Sequence, residues 1–274
     1  MTTPRSLSDM LPIAVGAIEI ARDLITGSVA GIVTAKGDRD MVSELDFAVE
    51  RTVRTFLAAG TPAVGFLGEE EGVAGPEGDL HWVLDPIDGT ANLLHGLPLC
   101  AVSLALVDAK RPVLGVIDLP FLGERYTAVD GQGAYAGGVP VRTSDTGSLT
   151  DAVVSLGDYA VGDGAEAKNR ARLAVTALLA GRAQRVRMFG TAAIDLAWLA
   201  CGRTDAVMML SNKPWDTAAG VVIAREAGAL VVDLAGAPHT LDSSATLAAG
   251  PGVIGAIVEL AQHALSGSRE REGR

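Results

Sequence analysis

From 152 to 233 the chain alternates short β-rich apolar runs with segments of helical period: strand 152–156, helix about 165–180, strand 184–189, helix about 192–201, strand 206–210, helix about 216–227, strand 230–233. Such alternation requires strands and helices to cover each other in layers, which makes the chain an α/β protein. A last helix is expected over about 252–265. The first half reads differently. Leu11, Ala14, Val15, Ile18, Ala21, Leu24 and Ile25 recur at helical spacing, with Ser8 as cap and Gly27 as stop. A second helix opens at Ser43-Glu44-Leu45-Asp46 and turns Leu45, Val49, Val53 and Phe56 to one face. A strand over 64–68 follows, then an antiparallel pair over 100–107 and 113–118, and a third strand over 126–129. The polar stretch 143–151 divides the chain into an α+β half, 1–145, and an α/β half, 146–265, with a disordered, charged tail over 266–274.

The chain has 274 residues, of which 49% are apolar and 20% charged, enough to bury a large core and too apolar for disorder outside the ends. A formal net charge of −11 argues against a nucleic-acid footprint. Anionic substrates stay open, because bound divalent cations reverse the local field. Cys100 and Cys201 both lie in apolar runs and read as buried free thiols in a reducing compartment. No cleavable leader is apparent, and no apolar run reaches the roughly 18–20 residues that span a bilayer. The expected location is the cytoplasm.

Chemistry concentrates at Trp82-Val83-Leu84-Asp85-Pro86-Ile87-Asp88-Gly89-Thr90-Ala91-Asn92-Leu93. An apolar strand delivers Asp85 at its end, Pro86 interrupts a regular ladder, and Asp88-Gly89 suits a helix start whose free N–H groups cradle a phosphate. Carboxylates for a hard cation beside backbone donors for a phosphate suggest metal-assisted phosphate ester chemistry. The alternative is that both acids merely cap a helix. The aspartyl-phosphate phosphatase pattern is excluded, since there the two acids are separated by one residue and here Pro86-Ile87 intervenes. Upstream, Glu69-Glu70-Glu71 follows a buried strand by one glycine, an order that would bring Glu69 beside Asp85. Read by themselves, Asp46 fits a capping box with Ser43, and Asp216 fits a helix cap as well as a site. Gly131-Gln132-Gly133 reads as a hairpin turn and not a cofactor loop. His81, His95, His239 and His263 have no metal-ligand spacing, and only His95 lies near the motif. No Ser-His-Asp or Cys-His grouping is present.

The stretch Asp85-Pro86-Ile87-Asp88-Gly89-Thr90-Ala91-Asn92 resembles the first signature of the inositol monophosphatase family. Trp215-Asp216-Thr217-Ala218-Ala219-Gly220 resembles the second, and the likeness extends from Lys36-Gly37-Asp38 through Gly190-Thr191-Ala192-Ala193 to Arg225-Glu226-Ala227-Gly228. The resemblance implies a five-layer α/β/α/β/α sandwich of the inositol monophosphatase / fructose-1,6-bisphosphatase type, a homodimer, and lithium-sensitive, Mg²⁺-dependent hydrolysis of a small phosphomonoester by an activated water, without a covalent intermediate. It implies that Glu69, Asp85 and the Ile87 carbonyl hold one Mg²⁺, that Asp85, Asp88 and Asp216 hold a second, and that a third shares Glu69. It pairs Asp46 with the Thr90 hydroxyl to align the water, and sets Lys36, Asp88, Gly89, Thr90, Ala192 and Asp216 at the substrate. Inositol monophosphate is the expected substrate. Relatives extend the same chemistry to histidinol phosphate, sugar bisphosphates and 3′-phosphoadenosine nucleotides, and a non-catalytic relative would act as a binding protein. One departure bears on substrate choice: counted back from Trp215-Asp216, the family's inositol-binding Glu corresponds to Met209.

Overall fold

The computed structural model describes residues 6–28, 33–35 and 41–272, with side chains for 6–28 and 44–266. The first helix, α1 (Leu7–Gly27), starts earlier than expected because Ser6, not Ser8, caps it. Ser6 Oγ accepts from the Asp9 N–H at 3.3 Å while the Asp9 carboxylate accepts from the Ser6 N–H at 3.0 Å. Two short strands, β1 (Val33–Ala35) and β2 (Met41–Ser43), pair antiparallel, a ribbon the sequence did not suggest. The turn read over 36–40, Lys36 included, lies outside the described residues, as does the Ser43 side chain. α2 (Glu44–Gly60) then packs on α1, and both cover one face of a large sheet.

That sheet contains β3 (Gly65–Gly68), β4 (Gly72–Ala74), β5 (Leu80–Asp88), β6 (Ala101–Asp108), β7 (Arg111–Leu119), β8 (Glu124–Val129), β9 (Ala134–Ala136) and β10 (Val139–Val141), ordered β10-β9-β8-β7-β6-β5-β3-β4. Only β3 and β5 are parallel. Both faces are buried, so the strands read as continuous apolar runs: Val102, Leu104 and Leu106 pack under α1 and α2, while Ala101, Ala105 and Val107 point the other way. Ala109 and Lys110, at φ 45° and 69°, make the two-residue turn between β6 and β7. A five-residue helix, α3 (Thr90–Leu94), follows β5.

The second sheet contains β11 (Val153–Leu156), β12 (Arg185–Arg187), β13 (Ala206–Met209), β14 (Leu230–Val232) and β15 (Thr246–Ala249), ordered β12-β11-β13-β15-β14. Its helices are α4 (Ala165–Ala180), α5 (Ala192–Ala200), α6 (Pro214–Glu226) and α7 (Ile254–Glu272). α5 and α6 lie between the two sheets, and α4 and α7 cover the outer face of the second. The layers are therefore α1/α2, eight strands, α5/α6, five strands, α4/α7: the α/β/α/β/α sandwich that the family resemblance implied. Side chains of β13 alternate across it, Ala206 and Met208 toward α4 and α7, Val207 and Met209 toward α5 and α6. Each large apolar side chain so enclosed contributes about 1.5–3 kcal/mol.

β15 corrects the reading of the second half, which had no element between 233 and 252. It inserts antiparallel between β13 and β14, so the sheet is mixed. α7 continues past 265 to Glu272, through the segment expected as tail. Cys100 is buried, but Cys201 is only half-buried, its Sγ 3.7 Å from the Tyr126 hydroxyl.

Candidate active site

The site forms where strands from the large sheet end beside the starts of α2, α5 and α6. Because β3 and β5 run parallel, with Gly68 opposite Leu84, the residues that follow these two positions lie side by side. The Glu69 N–H donates to the Leu84 carbonyl at 3.2 Å, which sets Glu69 next to Asp85, the juxtaposition expected from the order of the chain. Pro86 does disturb the ladder: pairing with β6 holds to Asp85–Ser103 and resumes only at Asp88–Ala101. Gly89 follows at φ 89°, with its α-carbon so close to the neighbouring chain that a β-carbon there would sit 2.8 Å from the Leu99 carbonyl oxygen.

Asp88 is a cap, but of a helix far away in sequence. Its Oδ2 accepts from the Thr191 hydroxyl at 2.7 Å and the Ala193 N–H at 2.6 Å, so it sits over the N-terminus of α5 and ties the two sheets' elements together. Thr191 itself caps α5, accepting from the Ile194 N–H at 3.3 Å. Asn92 completes the junction by donating to the carbonyls of Leu99, at 2.9 Å, and Phe189, at 2.7 Å. Thr191, Ala193 and Asn92 were not singled out for these roles from the sequence, although a threonine before an apolar helical run is a recognisable capping signal.

Asp216 arrives on α6. Its Oδ2 accepts from the Lys213 N–H at 2.7 Å, closing the first turn. The small residues after it let the helix fit between its neighbours: a β-carbon on Gly220 would come within 2.5 Å of the Leu196 side chain. Asp46 lies in the first turn of α2 and is buried. The Thr90 hydroxyl donates to the Ile87 carbonyl at 2.8 Å. Ala192 opens α5 beside Asp88. His95 ends α3 on the surface.

Electrostatically the site is unfinished. Asp85 is 3% exposed, and its Oδ1 is buried without a hydrogen-bond partner. Burial first, and then the charges of Asp88, Glu69, Asp216 and Asp46, push its carboxyl well above the ordinary range. Burial likewise raises Asp88 to about 7, against the pull of its bonds from Ala193 and Thr191, and burial raises Asp216. Cys100 is pushed up to about 12 by burial and by Asp88 and Asp46, so its thiol stays protonated beside the acids. Among the described residues no three acid, imidazole or thiol side chains close into a tight metal cage. The acids instead act on one another through their charges. Such a donor set, all oxygen with one orphaned buried carboxylate oxygen, suits a hard divalent cation that retains waters or takes substrate oxygens.

Met209 does not line this site. It is 3% exposed and packed among Leu196, Val207 and Val221.

A family model described as "Inositol monophosphatase family" matches residues 6–266. Inositol-1-monophosphatase ImpA of Mycolicibacterium smegmatis is 36% identical over 258 residues, covering 94% of this chain and 93% of that protein. A Thermotoga maritima protein named fructose-1,6-bisphosphatase/inositol-1-monophosphatase is 35% identical over 210 residues, 77% of this chain and 78% of its own. Among solved structures, an IMPase of Thermotoga maritima superposes with a TM-score of 0.86 at 28% identity, covering 95% of this chain and 99% of that one.

Proposed function

The chain belongs to the inositol monophosphatase family and is a phosphoric monoester hydrolase, and on that premise we propose that it hydrolyses inositol monophosphate in a Mg²⁺-dependent reaction. The observation that carries the metal reading is Asp85: a buried carboxylate with an orphaned oxygen, among four further acids drawn from α2, the end of β3, the end of β5 and α6. Glu69, Asp85 and the Ile87 carbonyl would hold one ion, Asp85, Asp88 and Asp216 a second, and Glu69 would share a third. When bound, such ions lower the pKa of a water and neutralise the charge that builds on the leaving oxygen.

The protein's own groups do the rest. Asp88, fixed by Thr191 and Ala193, is held close enough to Asp85 and Asp216 for their charges to act on one another. Gly89, at φ 89° and packed against the Leu99 carbonyl, makes the turn into α3, whose first N–H groups would face a phosphate in this reading. The Thr90 hydroxyl has one proton and gives it to the Ile87 carbonyl, so its lone pairs are left to accept from a water. Asp46 is near enough to act on Asp85 electrostatically, and in this reading it aligns that water with Thr90. Lys36 would stand at the mouth, with Ala192 beside the substrate. The assay is phosphate release from a panel of phosphomonoesters, with Mg²⁺, with chelator, and with Li⁺. Chelator-resistant hydrolysis would overturn the metal reading.

A second reading keeps the chemistry and broadens the substrate. The Thermotoga relative carries both a sugar-bisphosphatase and an inositol-phosphatase name. On this reading kcat/KM for inositol 1-phosphate and glycerol 2-phosphate should agree within about tenfold. A strong preference for inositol phosphate would restore the narrow reading. Assembly as a homodimer belongs to the same reading. Exposed Leu97 and Met188 flank the Asn92–Phe189 contact and offer an apolar surface to a second copy, which sedimentation would test. Among the described residues no helix is long and apolar enough to cross a membrane.

A further inference from the structure

We infer that Glu50 is a positioning residue for Glu69: its buried carboxylate clamps the turn that follows β3 and so sets the metal-facing acid before any cation arrives. Glu50 lies one helical turn after Asp46, on the same face of α2, and is fully buried. No lysine or arginine pairs with it among the described ion pairs. Its partners are backbone amides: Oε2 accepts from the Glu70 N–H at 2.9 Å and Oε1 from the Glu71 N–H at 2.8 Å. A buried carboxyl group is costly unless its oxygens are bonded, and these two backbone amides supply one bond to each.

The turn is built around that contact. A β-carbon on Gly68 would come within 2.4 Å of the Glu50 carboxyl atoms, so glycine is what admits the clamp. Glu71 is pulled away from the site by Arg51, 2.6 Å from Oε1, and Arg54, 2.7 Å from Oε2. Glu69 is then held on both sides, its own N–H on the Leu84 carbonyl and the next two amides on Glu50. Three consecutive acids thus have different fates, and the backbone clamp makes the difference. Partners of this kind, one step removed from a metal, carry about 10–100-fold of its affinity.

The inference rests on the proposal that Glu69 holds a metal, and the test separates the two. Mn²⁺ binding is measured by calorimetry on folded wild-type protein, Glu50→Gln, Gly68→Ala and Arg54→Ala. Glu50→Gln keeps the shape but loses one acceptor oxygen, and Gly68→Ala displaces the carboxylate without altering its charge. Both should weaken the Mn²⁺ Kd about tenfold or more while Arg54→Ala stays within about twofold. Unchanged Kd in folded Glu50→Gln, or an equal loss in Arg54→Ala, would overturn the inference and leave the metal reading intact. Wild-type protein that binds no Mn²⁺ would remove both. Should either variant fail to fold, hydrogen exchange on the metal-free wild type decides: the Glu70 and Glu71 amides should be protected, and rapid exchange there would refute the clamp.

Discussion

Two buried aspartates show how differently the same side chain is used in the two halves of this molecule. Asp205, just before β13, has every oxygen occupied: Oδ1 accepts from the hydroxyls of Ser144, at 2.5 Å, and Thr146, at 2.7 Å, and Oδ2 from the Val153 N–H at 2.7 Å. It stitches the strand-free passage between the sheets onto β11. Asp85 is as deeply buried, yet one oxygen has no donor and its nearest charged neighbours are acids. A carboxylate saturated by neutral donors stabilises the fold that surrounds it. One left short among like charges destabilises its surroundings until a cation binds, and that is a mark of function.

The largest test of this contrast is Asp85→Asn. It should lower kcat/KM on the order of 10³-fold, since a metal contributes several kcal/mol to such transition states. At the same time the metal-free protein should melt no lower than wild type, because one of the repelling charges is gone. A melting temperature well below wild type would make Asp85 a structural residue like Asp205. The reverse outcome is expected for Asp205→Ala. Three donors lose their acceptor, at a cost of about 3 kcal/mol or more by urea unfolding. Activity per folded molecule should stay close to wild type, and a matching loss of activity would place the junction inside the site.

Acidity separates a second pair. In the metal-free protein Asp88 titrates near 7 rather than its ordinary 3.8, so the folded state takes up a proton that the unfolded state refuses. Its contribution to stability therefore improves as pH falls from about 7 toward 3.8. His239 works oppositely. Burial, with Arg225 nearby, lowers it to about 4, so below 6.5 the unfolded chain binds the proton first. Its contribution is complete above 6.5 and is lost down to about 4, on the order of 3 kcal/mol. Melting wild type, Asp88→Asn and His239→Gln without metal across pH 4.5–7.5 should give differences from wild type of opposite slope. Slopes of the same sign would contradict one assignment.

The smallest effect concerns Thr191. Thr191→Val removes the α5 cap, costing about 1 kcal/mol. It also removes a donor that favours ionised Asp88, so the pH at which half the Mn²⁺ binding is lost should move upward. An unmoved midpoint with reduced stability would mean that Thr191 is a cap and nothing more.

Much of this protein is written locally. α4 spans the residues expected for it, 165–180, and three acids of the candidate site, Asp85, Asp88 and Asp216, stand in two linear signatures. β9, β10 and β15 are different. They are three or four residues long, carry no period of their own, and exist because a neighbouring strand offers a ladder. Glu50 was invisible for a related reason: a glutamate beside Val49 on an amphipathic helix reads as solvent-facing, and only the packed turn of Glu70 and Glu71 makes it a buried acceptor. Asp88 read as the cap of the helix next to it, whereas its partners, Thr191 and Ala193, lie more than a hundred residues on. The sequence by itself determined which elements form where period, caps and glycines suffice, and it placed Asp85 and Asp88 together in one motif. Tertiary structure alone decided which acids are satisfied and which are left short, because a buried carboxylate's state depends on donors brought to it from other layers, and no local spacing records their arrival.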